Sequence, residues 1–96
     1  EVWLNWSFIY YEQGEPMKAA ELLAQALNDA PKDTDMLYRM CVYLVEAGKF
    51  KEAFTFLENA LILDFEGHKV LFDFFPKLET QKAFFKIIDQ FRKENS

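Results

Sequence analysis

Few residues of this 96-residue chain could carry covalent or acid–base chemistry: one histidine, His68, one cysteine, Cys41, two serines, Ser7 and Ser96, and the acid pair Asp33 and Asp35. His68 stands between Gly67 and Lys69 with no cysteine and no second histidine at metal-ligand spacing, so neither a metal site nor a positioned general base is expected. Cys41 lies between Met40 and Val42 and reads as a small buried hydrophobe. Asp33 and Asp35 open an apolar periodic stretch, where negative charge favours the first turn of a helix. With only Gly14, Gly48 and Gly67 in the chain, no glycine-rich phosphate loop can be assembled. The expectation is a non-catalytic protein without cofactor or metal.

Charge and composition narrow the partners. The net charge of -5 opposes nucleic-acid binding, because neutralising phosphates needs a basic face. Residues 1–48 hold eight acidic side chains against Lys18, Lys32 and Arg39, while Lys77, Lys82, Lys86, Arg92 and Lys93 form a late basic cluster that reads as a solvated helix face. A hydrophobic content of 51%, with 18% aromatic residues, can fill a core without disulfides. A single cysteine fits a reducing compartment, so a cytoplasmic location is expected. No apolar run approaches the roughly 20 residues of a membrane span, and no membrane partner is expected. The chain opens on Glu1 inside an apolar periodic pattern, which predicts a piece of a longer protein, its C-terminal repeats.

The elements that must position these residues are helices. Apolar side chains recur at three and four throughout, and strict alternation is absent. The spacing predicts a first helix from Val2 to Gln13 ended by Gly14, and a second from Pro16 to Asp29 stopped by Pro31. Asp33 or Thr34 caps a third that runs to Ala47, with Gly48 as terminator, and a fourth spans Phe50 to Leu63. A fifth should begin near Gly67 and end or kink at Pro76, and Thr80 should cap a sixth over Gln81 to Lys93. The first four repeat themselves: Glu12, Gly14, Ala19, Leu23, Ala26 and Leu27 recur unchanged, at one constant offset, as Glu46, Gly48, Ala53, Leu57, Ala60 and Leu61.

A helix-turn-helix unit with a period of about 34 residues resembles the tetratricopeptide repeat family. The family's signature places fall on Trp3, Trp6, Ser7, Tyr10, Ala19, Leu23, Ala26 and Pro31 in the first unit, and on Leu37, Met40, Cys41, Leu44, Ala53, Leu57, Ala60 and Phe65 in the second. The second departs at the closing proline. In a third, degenerate unit Leu71, Phe74 and Phe75 fall on first-helix places, and Ile87 takes the place of the first alanine. The resemblance implies an all-α fold of about six helices, antiparallel pairs stacked in a right-handed superhelix, as one domain with units over about 1–33, 34–67 and 68–96. It also gives Ser7 a packing role, since a small residue is required there.

Family members bind ligands in a groove lined by their first helices, which implies a protein or peptide partner. The helical stripes that would face it give the candidate site: Leu4, Asn5, Phe8 and Tyr11 on the first helix, Tyr38, Arg39 and Val42 on the third, and Phe72 on the fifth. Tyr38 and Arg39 are its expected energetic centre, because Tyr and Arg are favoured at binding hot spots. Asn5 and Arg39 also resemble two groups of the subfamily that grips a C-terminal carboxylate, but Asp35 stands where that subfamily has a lysine and would repel the carboxylate. With Glu12, Asp35 and Glu46 around it, the groove should prefer an apolar or mildly basic segment. The alternative reading is a structural or self-associating segment, a homo-oligomer or a packing surface for its own longer chain, carried by the aromatic residues Phe84, Phe85 and Phe91.

Overall fold

The repeat of glycines has a backbone cause. In the computed structural model, which describes residues 2–71 and 78–94, Gly14 and Gly48 both take φ near +80°, a conformation that costs glycine little and other residues much. At each site two hydrogen bonds close the preceding helix: Gly14 N–H to Tyr11 O and Glu15 N–H to Tyr10 O, then Gly48 N–H to Val45 O and Lys49 N–H to Leu44 O. This is the Schellman arrangement, which satisfies carbonyls the helix end would otherwise leave open. It turns the chain back sharply, so the helices on either side become antiparallel neighbours.

Four helices follow from these turns: α1 Val2–Glu12, α2 Pro16–Asp29, α3 Thr34–Glu46 and α4 Phe50–Leu63. Proline starts α2, where its missing N–H is no loss. Asp33 caps α3 by accepting the Met36 N–H at 3.2 Å. Each pair is zipped by small residues: Ala19, Ala53 and Ala60 are fully buried and Ala26 nearly so, with Leu23 and Leu57 filling the space between them. Alanine at these places lets helices approach closely, and the leucines supply the buried area.

The two pairs are joined by a polar contact inside the apolar core. Ser7 of α1 is buried, its hydroxyl 3.0 Å from the Leu4 carbonyl and 2.9 Å from the Tyr43 hydroxyl of α3. Ser7→Ala would leave the buried Tyr43 hydroxyl without this partner and should cost about 1–2 kcal/mol, while adding Tyr43→Phe should cost little more. Urea melts of the two single variants and the double variant check this, and full additivity of the two losses would contradict it.

The third unit departs from the expected spacing. After α4 the chain enters a 3-10 helix, Phe65–Val70, in place of the start of an α-helix near Gly67, and the next described helix, α5, runs Leu78–Glu94. Thr80 therefore lies inside α5 instead of capping it. Phe74, Phe75 and Pro76 lie outside the described residues. Among the described residues of this unit, His68, Leu71, Phe84 and Ile88 are buried. They take the places of Leu37, Met40, Ala53 and Leu57 at a common step that is shorter than the one relating the first two units. Ile87, expected at the first alanine place, is only partly buried.

The cause is a shorter connection. Between α2 and α3 the chain spends Ala30, Pro31, Lys32 and Asp33, whereas α4 passes through Asp64 alone into the 3-10 helix. Three residues fewer leave no slack for a relaxed α-helical start, and the tighter 3-10 turn takes up the difference. His68 Nδ1 meets the Phe65 carbonyl at 2.5 Å and its ring packs on Phe65 at 4.8 Å, which holds this turn. α5 then packs by aromatics, Phe84 edge-on to Phe54 of α4 and Phe91 stacked on Phe65.

Trp6, expected to face neighbouring helices, is instead 46% exposed, and Val2 and Ile9 on the same side of α1 are exposed with it. Their counterparts in the second unit, Met36, Met40 and Tyr43, are buried because α1 and α2 lie over α3, and no described helix lies over that side of α1.

Candidate functional site

α1 and α3 present one continuous face, and the expected site residues divide within it by depth. Leu4, Phe8 and Tyr11 are partly exposed and Asn5 is exposed, all on α1. Arg39 of α3 is partly exposed and places its guanidinium 5.5 Å from the centre of the Phe8 ring, an arrangement in which the cation meets the negative face of the ring. Phe8 stacks on Tyr11 at 5.8 Å, and Tyr11 tilts against Tyr43 at 5.3 Å. The result is an aromatic ridge with a planar cation beside it. Burial, then the nearby Glu46 carboxylate and Tyr43, raises the Tyr11 hydroxyl above the ordinary tyrosine range, so it stays a neutral donor and acceptor at physiological pH.

Tyr38 and Val42 lie beneath this face. Each is 1% exposed, and the Tyr38 hydroxyl donates to the Asp64 carbonyl at 2.5 Å. The expectation that Tyr38 offers its ring to a ligand gives way to a structural position: the shortened third unit folds back over α3, and Gly67 comes so close that a Cβ there would stand 2.9 Å from Tyr38 Cε2. Phe72 lies outside the described residues. The sequence hid this because Tyr38 and Arg39 are neighbours on the same helical stripe. The missed signal is Asp64, which repeats Asp33 at the shorter step and marks the early start of the third unit.

Cys41 and Ser7 have packing roles here. Cys41 is fully buried, and that burial pushes its thiol well above the usual cysteine range, away from a reactive thiolate. Ser7 is buried with both hydroxyl contacts satisfied within the core. Among the described residues no group of three or more His, Cys, Asp or Glu side chains could hold a metal ion, and no helix is long and apolar enough to cross a membrane. The late basic cluster is partly engaged: Lys93 pairs with Asp89 at 3.2 Å and Arg92 lies over the Phe65 ring.

Paired antiparallel helices, repeated at a fixed step with alanines at their crossings and an aromatic face along the first helices, define an all-α helical repeat protein. The family model described as the tetratricopeptide repeat matches residues 10–66, and the chain belongs to that family. Comparison with curated proteins and with solved structures gives no match. Tetratricopeptide repeats generally mediate protein–protein interaction and are generally non-catalytic, which gives this chain a scaffold role in general terms.

Proposed function

We propose that the chain binds a polypeptide segment on the α1/α3 face, across Leu4, Asn5, Phe8, Tyr11 and Arg39, with Tyr38 and Val42 as the floor that holds them. The observation carrying this reading is the Arg39–Phe8 pair, a cation and an aromatic ring packed together on a partly exposed face. Aromatic and arginine side chains of this kind supply much of the binding energy in protein interfaces. Arg39 offers planar donors for a peptide carbonyl or carboxylate, and Phe8 and Tyr11 offer rigid apolar area. Glu12, Asp35 and Glu46 border the face and are set against an acidic partner, so the segment is apolar or mildly basic.

Selection of peptides from a random display library against the 96-residue chain tests this reading. Selected peptides should bind Arg39→Ala more weakly by about 2 kcal/mol, a hot-spot loss, with the helical circular dichroism unchanged. If Arg39→Ala and Asn5→Ala bind every selected peptide as well as the parent chain does, the α1/α3 face is not the site.

A further inference from the structure

At the far end of the molecule from α1, a cleft of about 500 Å³ opens between α4 and α5. Its lining combines the apolar Ile62, Ile87 and Phe91 with the polar Glu58, Gln90 and Glu94. Ile62 is 69% exposed, more than a core position would leave it. Gln90 donates to Glu94 at 3.2 Å, and no ion pair is formed by Glu58 or Glu94 among the described residues. The cleft lies by the C-terminal ends of α4 and α5, where the helix dipoles add partial negative charge. An apolar anchor flanked by cations is what this surface complements.

The same chain displays such an anchor. Lys49, Phe50 and Lys51 stand at the start of α4, all exposed, with Phe50 54% exposed between the two lysines. The Schellman turn at Gly48 fixes their place through the Lys49 N–H to Leu44 carbonyl bond of 2.8 Å. Here the dipole of α4 is at its positive end and reinforces the lysines. Phe50 and Ile62 lie at opposite ends of one straight helix, about 18 Å apart at 1.5 Å per residue, so anchor and cleft cannot meet within one molecule.

We infer that the chain self-associates head to tail, the Lys49–Phe50–Lys51 anchor of one copy seated in the α4/α5 cleft of the next. Phe50 covers Ile62 and Phe91, and the lysines meet Glu58 and Glu94. The exposed Val2, Trp6 and Ile9 of α1 make a poorer occupant, because that stripe carries no cation to meet Glu58 and Glu94. A contact between two different patches does not close on itself in a dimer, so copies can continue to add. The inference uses α4 and α5 and is independent of the α1/α3 face.

Sedimentation equilibrium of the whole chain tests it. The mass should climb above the 11.4 kDa monomer with concentration at low salt and fall back as salt screens the charges. The pair Lys49→Glu with Lys51→Glu, and separately Glu58→Lys with Glu94→Lys, should each weaken association by about tenfold or more. All four positions are exposed, and circular dichroism establishes that the variants keep their helices. Mixed in equal amounts, the two variants should associate again as alternating copies, since the acidic anchor of the first fits the basic cleft of the second and the native anchor of the second fits the native cleft of the first. A parent chain that stays monomeric at every concentration overturns the inference, as does a mixture that fails to pair. Persistent association in the Lys49/Lys51 variant, abolished instead by Phe85→Ser, would move the contact to the Phe85 side of α5, outside the cleft, and equally overturn it. A monomer whose cleft binds a Lys-Phe-Lys peptide would give the cleft to another protein and overturn self-association.

Discussion

Replacing Tyr38 by alanine should cost about 3–5 kcal/mol of folding stability, the loss typical of a large aromatic removed from a core. The ring is buried between α3 and the 3-10 helix, and no rearrangement of exposed side chains can refill the space. Tyr38→Phe separates ring from hydroxyl. Asp64 O also accepts the Gly67 N–H at 3.2 Å, so losing the Tyr38 donor does not orphan it, and the phenylalanine variant should lose only about 1 kcal/mol. Burial, then Asp64 and Cys41, raises the Tyr38 hydroxyl above its ordinary value of 10.0. A folded-state pKa above the unfolded one gives stability that is complete below the unfolded value and is lost as pH rises from there toward the folded one. Urea melts should therefore show the parent chain losing stability above about pH 10 more steeply than Tyr38→Phe. If Tyr38→Ala melts like the parent, the ring is not the floor of the α1/α3 face.

The contrast between the second and third units shows what was legible. Gly14 and Gly48, Ala19 and Ala53, Leu23 and Leu57 are identities at a constant step, and each answers a backbone or packing demand that is local to one helix pair. Such demands leave a fixed mark on residue type, so α2 and α4 were readable nearly to the residue. Tyr38 and Arg39 carry no such mark, because their depth depends on where the next unit arrives. The shorter connection between α4 and the 3-10 helix moved that unit, and Tyr38 went under it while Arg39, its neighbour, stayed at the surface. At the new step Phe84 stands where an alanine would have advertised it, and Phe91 where a leucine-or-alanine pattern would have continued. Ser7 was readable as small, but not as the partner of Tyr43, since a hydrogen bond between residues so far apart in sequence is a property of how pairs stack.

Ala53→Leu should lower stability by about 3 kcal/mol, the upper part of the usual overpacking range. Ala53 has no exposed surface, and the helix crossings on which it sits are close because its side chain is a single methyl. The added carbons have nowhere to go except between helices. They would push α4 away from α3 and disturb the 3-10 helix and α5, which both pack on α4. Ala19→Leu, the change at the matching place of the first unit, should separate α1 from α2 while leaving α3 and α4 paired. Hydrogen exchange distinguishes the two: Ala53→Leu should weaken protection in α3, α4 and α5 together, and Ala19→Leu chiefly in α1 and α2, because nearest-neighbour contacts carry the stability of a repeat array. An Ala53→Leu chain with the parent's melting curve would mean that Ala53 does not occupy a close helix crossing, and the register that makes it the counterpart of Ala19 would be wrong.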